Sequence, residues 1–248
     1  MLSDDELLRY SRQILLSEID LAGQEKLRAA SVLIVGAGGL ANPAALYLVG
    51  AGVQRLLIAD GDRLEVSNLH RQIGFREADI GRNKAQALAA QLAALNADVQ
   101  VKAHPAYVDE SWLASAVPSV DVVLDCSDNF STRTMVNAAC VREKKPLVSG
   151  AAIRFSGQLA VFDLRREDAA CYACLYGEGS NADELCSESG IAGPVVGVIG
   201  TLQALQTIRL IVGLPVVEKL QLFDGHALEW KSLAFRKDPA CRVCGTVS

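Results

Sequence analysis

The sequence predicts an α/β fold built on a Rossmann-like, doubly wound mixed sheet. Short apolar strands alternate with helices through the first 150 residues, and a cluster of glycines follows the first strand. Beyond Gly150 the strands are closely spaced, as in antiparallel hairpins. Because alternating strands and helices favour a parallel sheet, we expect a parallel N-terminal half extended by antiparallel C-terminal strands. We expect a single domain over residues 1–248, with a nucleotide-binding half at 1–150 and a partner-facing half at 151–248.

The composition indicates a substantial core and no basic surplus. Of 248 residues, 50% are hydrophobic, and the formal net charge is −5. This charge argues against nucleic acid or an anionic membrane as a partner. Glycine or charge interrupts each apolar run of about 20 residues, and the acidic, amphipathic N-terminus does not resemble a secretory signal. With no export signal, the seven cysteines favour a reducing, cytoplasmic location.

The first residues predict two helices. Ser3 is a suitable N-cap, and Glu6 stands where the reciprocal partner of a capping box belongs. Apolar residues at helical spacing give the first helix an apolar face through Arg12. A second, short helix is expected at 21–28.

The stretch from residue 31 to 62 is the centre of the prediction. A buried strand at 32–35 leads into a glycine turn, a helix running to about residue 51, and a second strand at 56–59 that ends in Asp60. The turn contains Gly36, Gly38 and Gly39, with Ala41 at the third position of the G-x-G-x-x-G/A pattern. Such a turn directs backbone N–H groups at a phosphate, and Asp60 stands where an acidic residue accepts bonds from ribose hydroxyls. Taken alone, this pattern also fits NAD or FAD.

Two cations follow the second strand. The loop at 61–81 contains the sequence SNLHRQ, and GRNKA begins the helix expected at 82–95. Arg71 can bind two phosphate oxygens as a planar fork, and Lys84 can act as a point charge. His70 either touches phosphate or fills space. The alternative for Arg71 and Lys84 is a solvated face, where most such side chains lie.

The sequence DCSDN lies at the carboxyl end of another buried strand. This strand is expected at 121–125, after a strand at 99–103 and a helix at 110–116. Open α/β sheets bind ligands at such strand ends, and Asp128 is a suitable oxygen ligand for Mg²⁺. Asp128 or Asn129 can equally cap the following helix, expected at 130–143, and both roles are compatible. Cys126 and Cys140 lie in apolar surroundings and are expected in the core.

The C-terminal half is expected to contain a hairpin, a long helix and two further strands. A strand begins at 146–149, and the hairpin pairs 153–155 with 158–162 around a turn at Ser156 and Gly157. The long helix covers 193–208, and the last strands lie near 220–223 and 228–235.

Two C-x-x-C pairs predict a metal site. Cys171 and Cys174 form the first pair, and Cys241 and Cys244 form the second. Four thiolates from two such pairs are typical of tetrahedral Zn²⁺, and a closed shell of this kind is structural. A redox dithiol is the alternative. Cys186 stands alone in the polar stretch at 177–190 and is either a nucleophile or a non-essential thiol.

These motifs together resemble the MoeB/ThiF family, relatives of ubiquitin-activating enzymes. GAGGLA, SNLHRQ, GRNKA, DCSDN, SGAAIRFSGQ, the paired C-x-x-C and GPVVGVIGTLQALQTIRL occur in this order over essentially the whole chain. The resemblance implies ATP-dependent adenylation of the C-terminal glycine of a ubiquitin-like sulfur carrier protein, MoaD-like or ThiS-like, with release of pyrophosphate. It also implies Mg²⁺, Zn²⁺ and a role in molybdopterin or thiamine-type sulfur transfer.

The resemblance also implies roles for individual residues. Arg12 reaches the ATP of the other subunit, so a homodimer is implied. A separate sulfurtransferase or cysteine desulfurase is expected to supply the sulfur. The residues implied in catalysis are Arg12, Arg71, Lys84, Asp128 and Cys186. The residues implied in nucleotide binding are Gly38, Gly39, Asp60, Ser67, Asn68, Leu69, His70, Arg71, Lys84, Asp128 and Asn129.

Two other classes of function compete with this interpretation. An NAD(P)-dependent Rossmann oxidoreductase explains the glycines and Asp60, but it needs neither the two cations nor DCSDN. A non-catalytic zinc scaffold explains the cysteines, but it requires a ruined phosphate site, whereas Arg71, Lys84 and Asp128 are all present.

Overall fold

The computed structural model describes residues 2–177, 190–216 and 218–245. Eight strands form one sheet. The strands are β1 (Ser31–Val35), β2 (Arg55–Ala59), β3 (Gln100–His104), β4 (Val122–Asp125), β5 (Leu147–Ile153), β6 (Ser156–Phe162), β7 (Lys219–Asp224) and β8 (Glu229–Ala234). The helices of the described part are α1 (Asp4–Arg9), α2 (Ser11–Ile14), α3 (Asp20–Ala29), α4 (Ala41–Gly50), α5 (Lys84–Leu95), α6 (Glu110–Ala116), α7 (Phe130–Arg142), α8 (Tyr172–Tyr176) and α9 (Gly193–Val212).

The sheet is mixed, with the predicted change of direction halfway along the chain. The spatial order is β3-β2-β1-β4-β5-β6-β7-β8. The first five strands in this order are parallel, whereas β5 to β8 pair antiparallel. The chain leaves β1 towards β2 on one side and later returns to β4 on the other. This topological switch point opens a crevice at the carboxyl ends of β1 and β4.

Both faces of the parallel half are covered. Along β1, Val32 and Ile34 belong to one core cluster, while Leu33 and Val35 belong to the other. This alternation follows from the two-residue period of a strand. Residues of α3, α4, α5 and α9 pack on the first face, and residues of α6, α7 and α8 pack on the second.

Helix α9 is the longest helix in the described part of the chain. By length and composition it is apolar enough to cross a membrane, and half of its most apolar stretch is buried. Val195, Val196 and Ile199 of this helix join the same core cluster as β1. In this fold α9 therefore serves as a core helix of the sheet.

The N-terminal helix has the predicted cap but ends earlier than its apolar pattern suggests. The Ser3 hydroxyl accepts from the Glu6 N–H, and the Glu6 carboxylate accepts from the Ser3 N–H, which completes the capping box. The helix breaks at Tyr10, whose side chain is buried and whose hydroxyl accepts from Asn96. Within this chain the apolar face remains open, because Leu8 and Leu15 are about three-quarters exposed (76% and 75%).

The predicted hairpin turn at Ser156 and Gly157 is wrong. Strand β5 continues to Ile153, which pairs with Ser156, so the turn consists of Arg154 and Phe155. Arg154 adopts the left-handed conformation (φ 55°). Gly157 lies within β6, and glycine is required there because a Cβ would stand 2.5 Å from Ile199 of α9. Glycine here permits the close approach of a helix, a role that local sequence does not distinguish from a turn.

Substituting Gly36 by alanine should destabilise the fold by roughly 2–3 kcal/mol. Gly36 has φ +90°, and its Cβ would lie 2.7 Å from the backbone oxygen of Cys126 at the end of β4. Gly81 is the matched control, since it has φ +83° and no atom within 4 Å of its Cβ position. Urea unfolding should give a loss of only about 1–2 kcal/mol for Gly81→Ala. Equal losses would show that the contact with β4 is unimportant.

Candidate functional site

A cavity of about 680 Å³ opens at the switch point of the sheet. This volume lies within the range of small-molecule and cofactor sites. Its walls come from the glycine turn after β1, the end of β2, the loop before α7 and the end of β5. The predicted nucleotide-binding residues that line it are Gly38, Gly39, Asp60, His70, Arg71, Lys84, Asp128 and Asn129.

The glycine turn is held in place by a buried amide that the sequence motif did not reveal. Asn42 is fully buried, and its Nδ2 donates to the backbone oxygens of Ala37 and Gly38, each at 2.9 Å. Its Oδ1 accepts from the N–H of Gly74 at 2.7 Å. One side chain therefore ties the glycine turn to the loop that carries Arg71.

Asp60 closes the cavity at the end of β2. One carboxylate oxygen accepts from the Ala37 N–H at 2.7 Å, and the other accepts from the Asp62 N–H at 2.8 Å. Burial raises the pKa of Asp60 above its ordinary value, and these two N–H groups and Lys84 offset only part of that effect. The carboxylate is thus oriented by backbone and still borders the cavity, as a ribose-binding group must.

The predicted binding of a nucleotide through Asp60 should weaken on acidification. Because its pKa is raised, Asp60 takes up a proton at a higher pH than an ordinary aspartate and then loses acceptor capacity. Between the ordinary and the raised pKa, the folded chain keeps the proton on Asp60 and the unfolded chain loses it. The contribution of Asp60 to the free energy of unfolding therefore falls as the pH rises through this interval. Calorimetric titration with ATP, repeated as the pH is lowered from neutrality towards the ordinary aspartate pKa of about 3.9, should show the loss in the wild type but not in Asp60→Asn. Equal pH profiles would contradict this assignment.

Lys84 points into the cavity and does not lie on a solvated face. It is buried, and its Nζ lies 2.7 Å from a carboxylate oxygen of Asp62. The hydroxyl of Tyr107 donates to the other oxygen of Asp62 at 2.5 Å. Burial opposes the charge of Asp62, but Lys84 and Tyr107 outweigh it and lower the pKa of this carboxyl. The motif GRNKA predicts Lys84 but gives no sign of its neighbours Asp62 and Tyr107.

Arg71 lies beside the glycine turn, with its Cγ 3.6 Å from the position that a Cβ would take at Gly39. Its guanidinium donates to the backbone oxygen of Ser67 at 3.0 Å and contacts the His70 ring nitrogen Nε2 at 2.8 Å. Within the described residues no carboxylate forms an ion pair with Arg71, so its charge is available to an anion in the cavity.

Three predicted nucleotide-binding residues, Ser67, Asn68 and Leu69, are not among those that line the cavity. Asn68 is buried, and its Oδ1 accepts from the Glu65 N–H at 3.1 Å, which closes a short 3₁₀ turn at Val66–Asn68. In this structure Asn68 shapes the loop that presents Arg71.

The loop between β4 and α7 places Asp128 and Asn129 at the cavity. Asn129 is the N-cap of α7, and its Oδ1 accepts from the Thr132 N–H at 2.8 Å. Asn129 therefore provides the cap, and Asp128 is among the residues that line the cavity. Beneath the loop, the buried carboxylate of Asp125 accepts from the N–H and hydroxyl of Ser127.

Arg133 is a buried cation that the motif analysis did not single out. It is 9% exposed, lines the cavity, and donates from Nη2 to the backbone oxygen of Ser127 at 2.6 Å. Burial disfavours its charge, but Asp125 and Tyr172 outweigh burial and raise the pKa of Arg133. The arginine therefore stays charged while it supports the loop that carries Asp128.

The four cysteines of the two C-x-x-C pairs converge, as predicted. Their sulfur atoms all lie within 4.8 Å of one another. The Sγ–Sγ distances are 3.9 Å for Cys171–Cys174, 3.7 Å for Cys171–Cys241 and 3.3 Å for Cys174–Cys244. Sulfurs bound tetrahedrally to zinc at about 2.3 Å are separated by about 3.8 Å, so the cluster fits such an ion.

Two other predicted site residues lie elsewhere or outside the described part. Arg12 is exposed on α2 and does not line the cavity of its own chain. Cys186 lies in the 177–190 stretch at a position outside the described residues.

Cys126 and Cys140 are buried, as predicted, and burial raises the pKa of both thiols.

The sheet, the cavity at its switch point and the cations around the glycine turn define a Rossmann-like nucleotide-binding protein. The chain belongs to the ThiF family, whose model matches residues 10–243. It is 47% identical over 245 residues to the sulfur carrier protein ThiS adenylyltransferase of Escherichia coli, covering 98% of this chain and 97% of the relative. It is 41% identical over 249 residues to the molybdopterin-synthase adenylyltransferase of Salmonella typhimurium, covering 98% of each.

Other relatives differ in length or in detail. The adenylyltransferase and sulfurtransferase MOCS3 of Anopheles gambiae is 44% identical, and the match covers 98% of this chain but 56% of that protein. Among solved structures, E. coli MccB with ATP superposes with a TM-score of 0.82 at 26% identity. That match covers 95% of this chain and 74% of MccB.

Proposed function

We propose that this chain is an adenylyltransferase, which uses ATP to activate the C-terminal glycine of a ubiquitin-like sulfur carrier protein. The observation that carries the proposal is the cavity itself, where Arg71, Lys84 and Asp128 surround the same space as the glycine turn and Asp60. A hydride-transferring enzyme needs no such cations. The names of the ThiS and molybdopterin-synthase adenylyltransferases support the same reaction.

The chemistry needs positioning and charge neutralisation more than proton transfer. A C-terminal carboxylate has a pKa of about 3.3–3.7 and is ionised at neutral pH. Its oxygen forms a bond to the α-phosphorus while the bond from that phosphorus to the bridging oxygen breaks. The electron pair leaves with pyrophosphate, and the product is an acyl-adenylate. No general base is required, so His70 need not act as one.

The cavity residues divide these tasks. Asp60 holds the ribose hydroxyls, and the glycine turn offers backbone N–H groups to the phosphates. Arg71 and Lys84 neutralise the charge that develops on the α-phosphate and the pyrophosphate. Lys84 is already paired with Asp62, so the nucleotide binds a cation that is held in position before it arrives.

Asp128 is the residue we assign to Mg²⁺. Asp128 lines the cavity, and a carboxylate oxygen is the donor type that this ion prefers. When bound, Mg²⁺ neutralises triphosphate charge and orients the leaving group.

The four-cysteine cluster is assigned to a structural Zn²⁺. Four thiolates leave no open coordination position for substrate. The ion would clamp the chain near Cys241 to the start of α8.

A homodimer with shared sites is also part of the proposal. Arg12 is exposed and is not among the residues that line the cavity of its own chain, which agrees with action on the ATP of a second subunit. The exposed leucines of the N-terminal helices, Leu8 and Leu15 among them, provide an apolar surface near Arg12 for such an interface.

The sulfur chemistry is assigned to other proteins. We propose that a separate sulfurtransferase or cysteine desulfurase supplies the sulfur to the activated carrier. For Cys186 the two alternatives are a nucleophile in that transfer and a non-essential thiol. The chain is 47% and 41% identical to the two bacterial enzymes, so both ThiS-like and MoaD-like carriers are candidate substrates.

Exchange of radiolabelled pyrophosphate into ATP tests this function. Exchange should depend on a ThiS-like or MoaD-like carrier and should vanish when the carrier lacks its terminal glycine. Calorimetry should detect binding of ATP with Mg²⁺ and no binding of NAD. Binding of NAD without carrier-dependent exchange would favour an oxidoreductase, and the absence of both would favour a zinc scaffold.

A further inference from the structure

Helix α7 carries two buried polar side chains, Arg133 and Asn137, on one face. They are four residues apart, which places them about one helical turn from each other on the same side. Arg133 is 9% exposed and Asn137 is fully buried. Burying such groups is costly unless their hydrogen bonds are satisfied, so their partners reveal what α7 holds together.

The Arg133 end of this pair contacts the nucleotide cavity. Arg133 donates to the backbone oxygen of Ser127 at 2.6 Å, directly before Asp128. The opposite side of Ser127 is held by Asp125, which accepts from its N–H at 3.1 Å and its hydroxyl at 2.6 Å. The position of Asp128 therefore depends on where α7 holds Arg133.

The Asn137 end contacts the cysteine cluster. Its Oδ1 accepts from the Tyr172 N–H at 2.9 Å, and its Nδ2 donates to the Sγ of Cys171 at 3.6 Å. Cys171 is both a member of the cluster and the N-cap of α8. The Tyr172 ring packs against Phe130, the first residue of α7, with ring centroids 6.1 Å apart. The start of α8 is thus held against α7 at two positions, Phe130 and Asn137.

We propose that α7 couples the metal cluster to the nucleotide cavity, with Asn137 and Arg133 as positioning residues. Metal bound to Cys171 holds the start of α8, and α8 in turn holds α7 through Asn137. Arg133 then holds Ser127 and the Asp128 loop in the geometry that binds ATP with Mg²⁺. This coupling rests on the proposed function, which assigns ATP to the cavity and zinc to the cysteine cluster. By linkage, ATP must raise the affinity for zinc by the same factor that zinc raises the affinity for ATP.

The test compares ATP affinity in zinc-loaded and chelator-treated protein by calorimetry. We expect zinc removal to weaken ATP binding about tenfold, a usual size for coupling between two sites. Competition with a chromogenic chelator should show an equal gain in zinc affinity when ATP is added. In Asn137→Ala, the ratio of the two ATP affinities should fall towards one.

Asn96→Ala is the matched control. Asn96 is also buried (1% exposed), and its Nδ2 donates to the Tyr10 hydroxyl and the Val49 oxygen, away from both sites. This variant loses a buried amide of the same kind, yet it should keep the tenfold ratio. Arg133→Lys tests the end of the pair that contacts the cavity. This variant should bind zinc normally, while the ratio of its ATP affinities with and without zinc falls towards one.

The outcomes separate this proposal from the proposed function. A wild-type ratio near one, in protein that binds both zinc and ATP, would overturn the coupling alone. So would equal ratios in Asn137→Ala, Arg133→Lys and Asn96→Ala. If the chain bound no zinc, the zinc assignment would fail and with it the coupling. If the chain bound no ATP, the proposed adenylation would fail as well.

Discussion

Replacing Lys84 by methionine should lower the rate of carrier-dependent pyrophosphate exchange roughly 10²–10³-fold. Methionine keeps much of the aliphatic stem, which is buried, and removes only the charge at the cavity. We propose that this charge meets the negative charge that develops on the α-phosphate and the leaving pyrophosphate, so the loss should appear mainly in kcat. ATP affinity, measured by calorimetry, should change less than the rate.

Two variants control for this result. Lys102→Met removes the same group from an exposed position on β3, so exchange should remain normal. Asp62→Asn keeps the Lys84 charge and removes its partner at 2.7 Å, which should cause a smaller loss than Lys84→Met. Near-normal exchange by Lys84→Met would exclude this lysine from the chemistry.

Removal of the zinc ion that we propose for the cysteine cluster should cause the largest loss of stability. Structural zinc binding in small domains amounts to about 10–16 kcal/mol of apparent free energy, and folding depends on it. A ligand that binds only the folded chain stabilises it by about 4 kcal/mol when its free concentration is roughly 1,000-fold above its Kd. Loss of that contribution should lower Tm by roughly 8–16 °C. Cys241→Ser should abolish stoichiometric zinc, measured by atomic absorption, and lower Tm to the same extent.

The position of the lost ligand determines where the structure should open first. The chain around Cys241 is joined to the start of α8 through Cys171, at an Sγ–Sγ distance of 3.7 Å. Limited proteolysis of Cys241→Ser should therefore cut first in the C-terminal residues. Cys140→Ala, a buried cysteine outside the cluster, should retain zinc. An unchanged Tm in zinc-free protein would rule out a stabilising ion.

Much of the fold was predictable because its signals are local. The β1 strand, the glycine turn and α4 follow from an apolar run, three closely spaced glycines and a helical apolar pattern. The capping box at Ser3 was also predicted, since its partners are three residues apart. The hairpin turn was predicted at the wrong residues, because Gly157 makes room for Ile199, which lies more than 40 residues away in the sequence.

The candidate site divides in the same way. The glycines, Asp60, Lys84 and Asp128 stand in recognisable motifs, and they do line one cavity. Asn42, Asp62, Tyr107 and Arg133 were missed because their partners lie in other elements. Tyr107 and Asp62, for example, are joined by a hydrogen bond across 45 residues of sequence.

The sequence alone was sufficient for the fold class, the phosphate turn and the two C-x-x-C pairs, because spacing along the chain carries those features. The folded chain adds which groups share one space. It pairs Lys84 with Asp62, assigns the α7 cap to Asn129, and brings four sulfur atoms within 4.8 Å. It also connects the cysteine cluster to the Asp128 loop through Arg133 and Asn137. These relations depend on long-range packing, in which the neighbours of a side chain are set by the sheet order and by the faces that the helices bury.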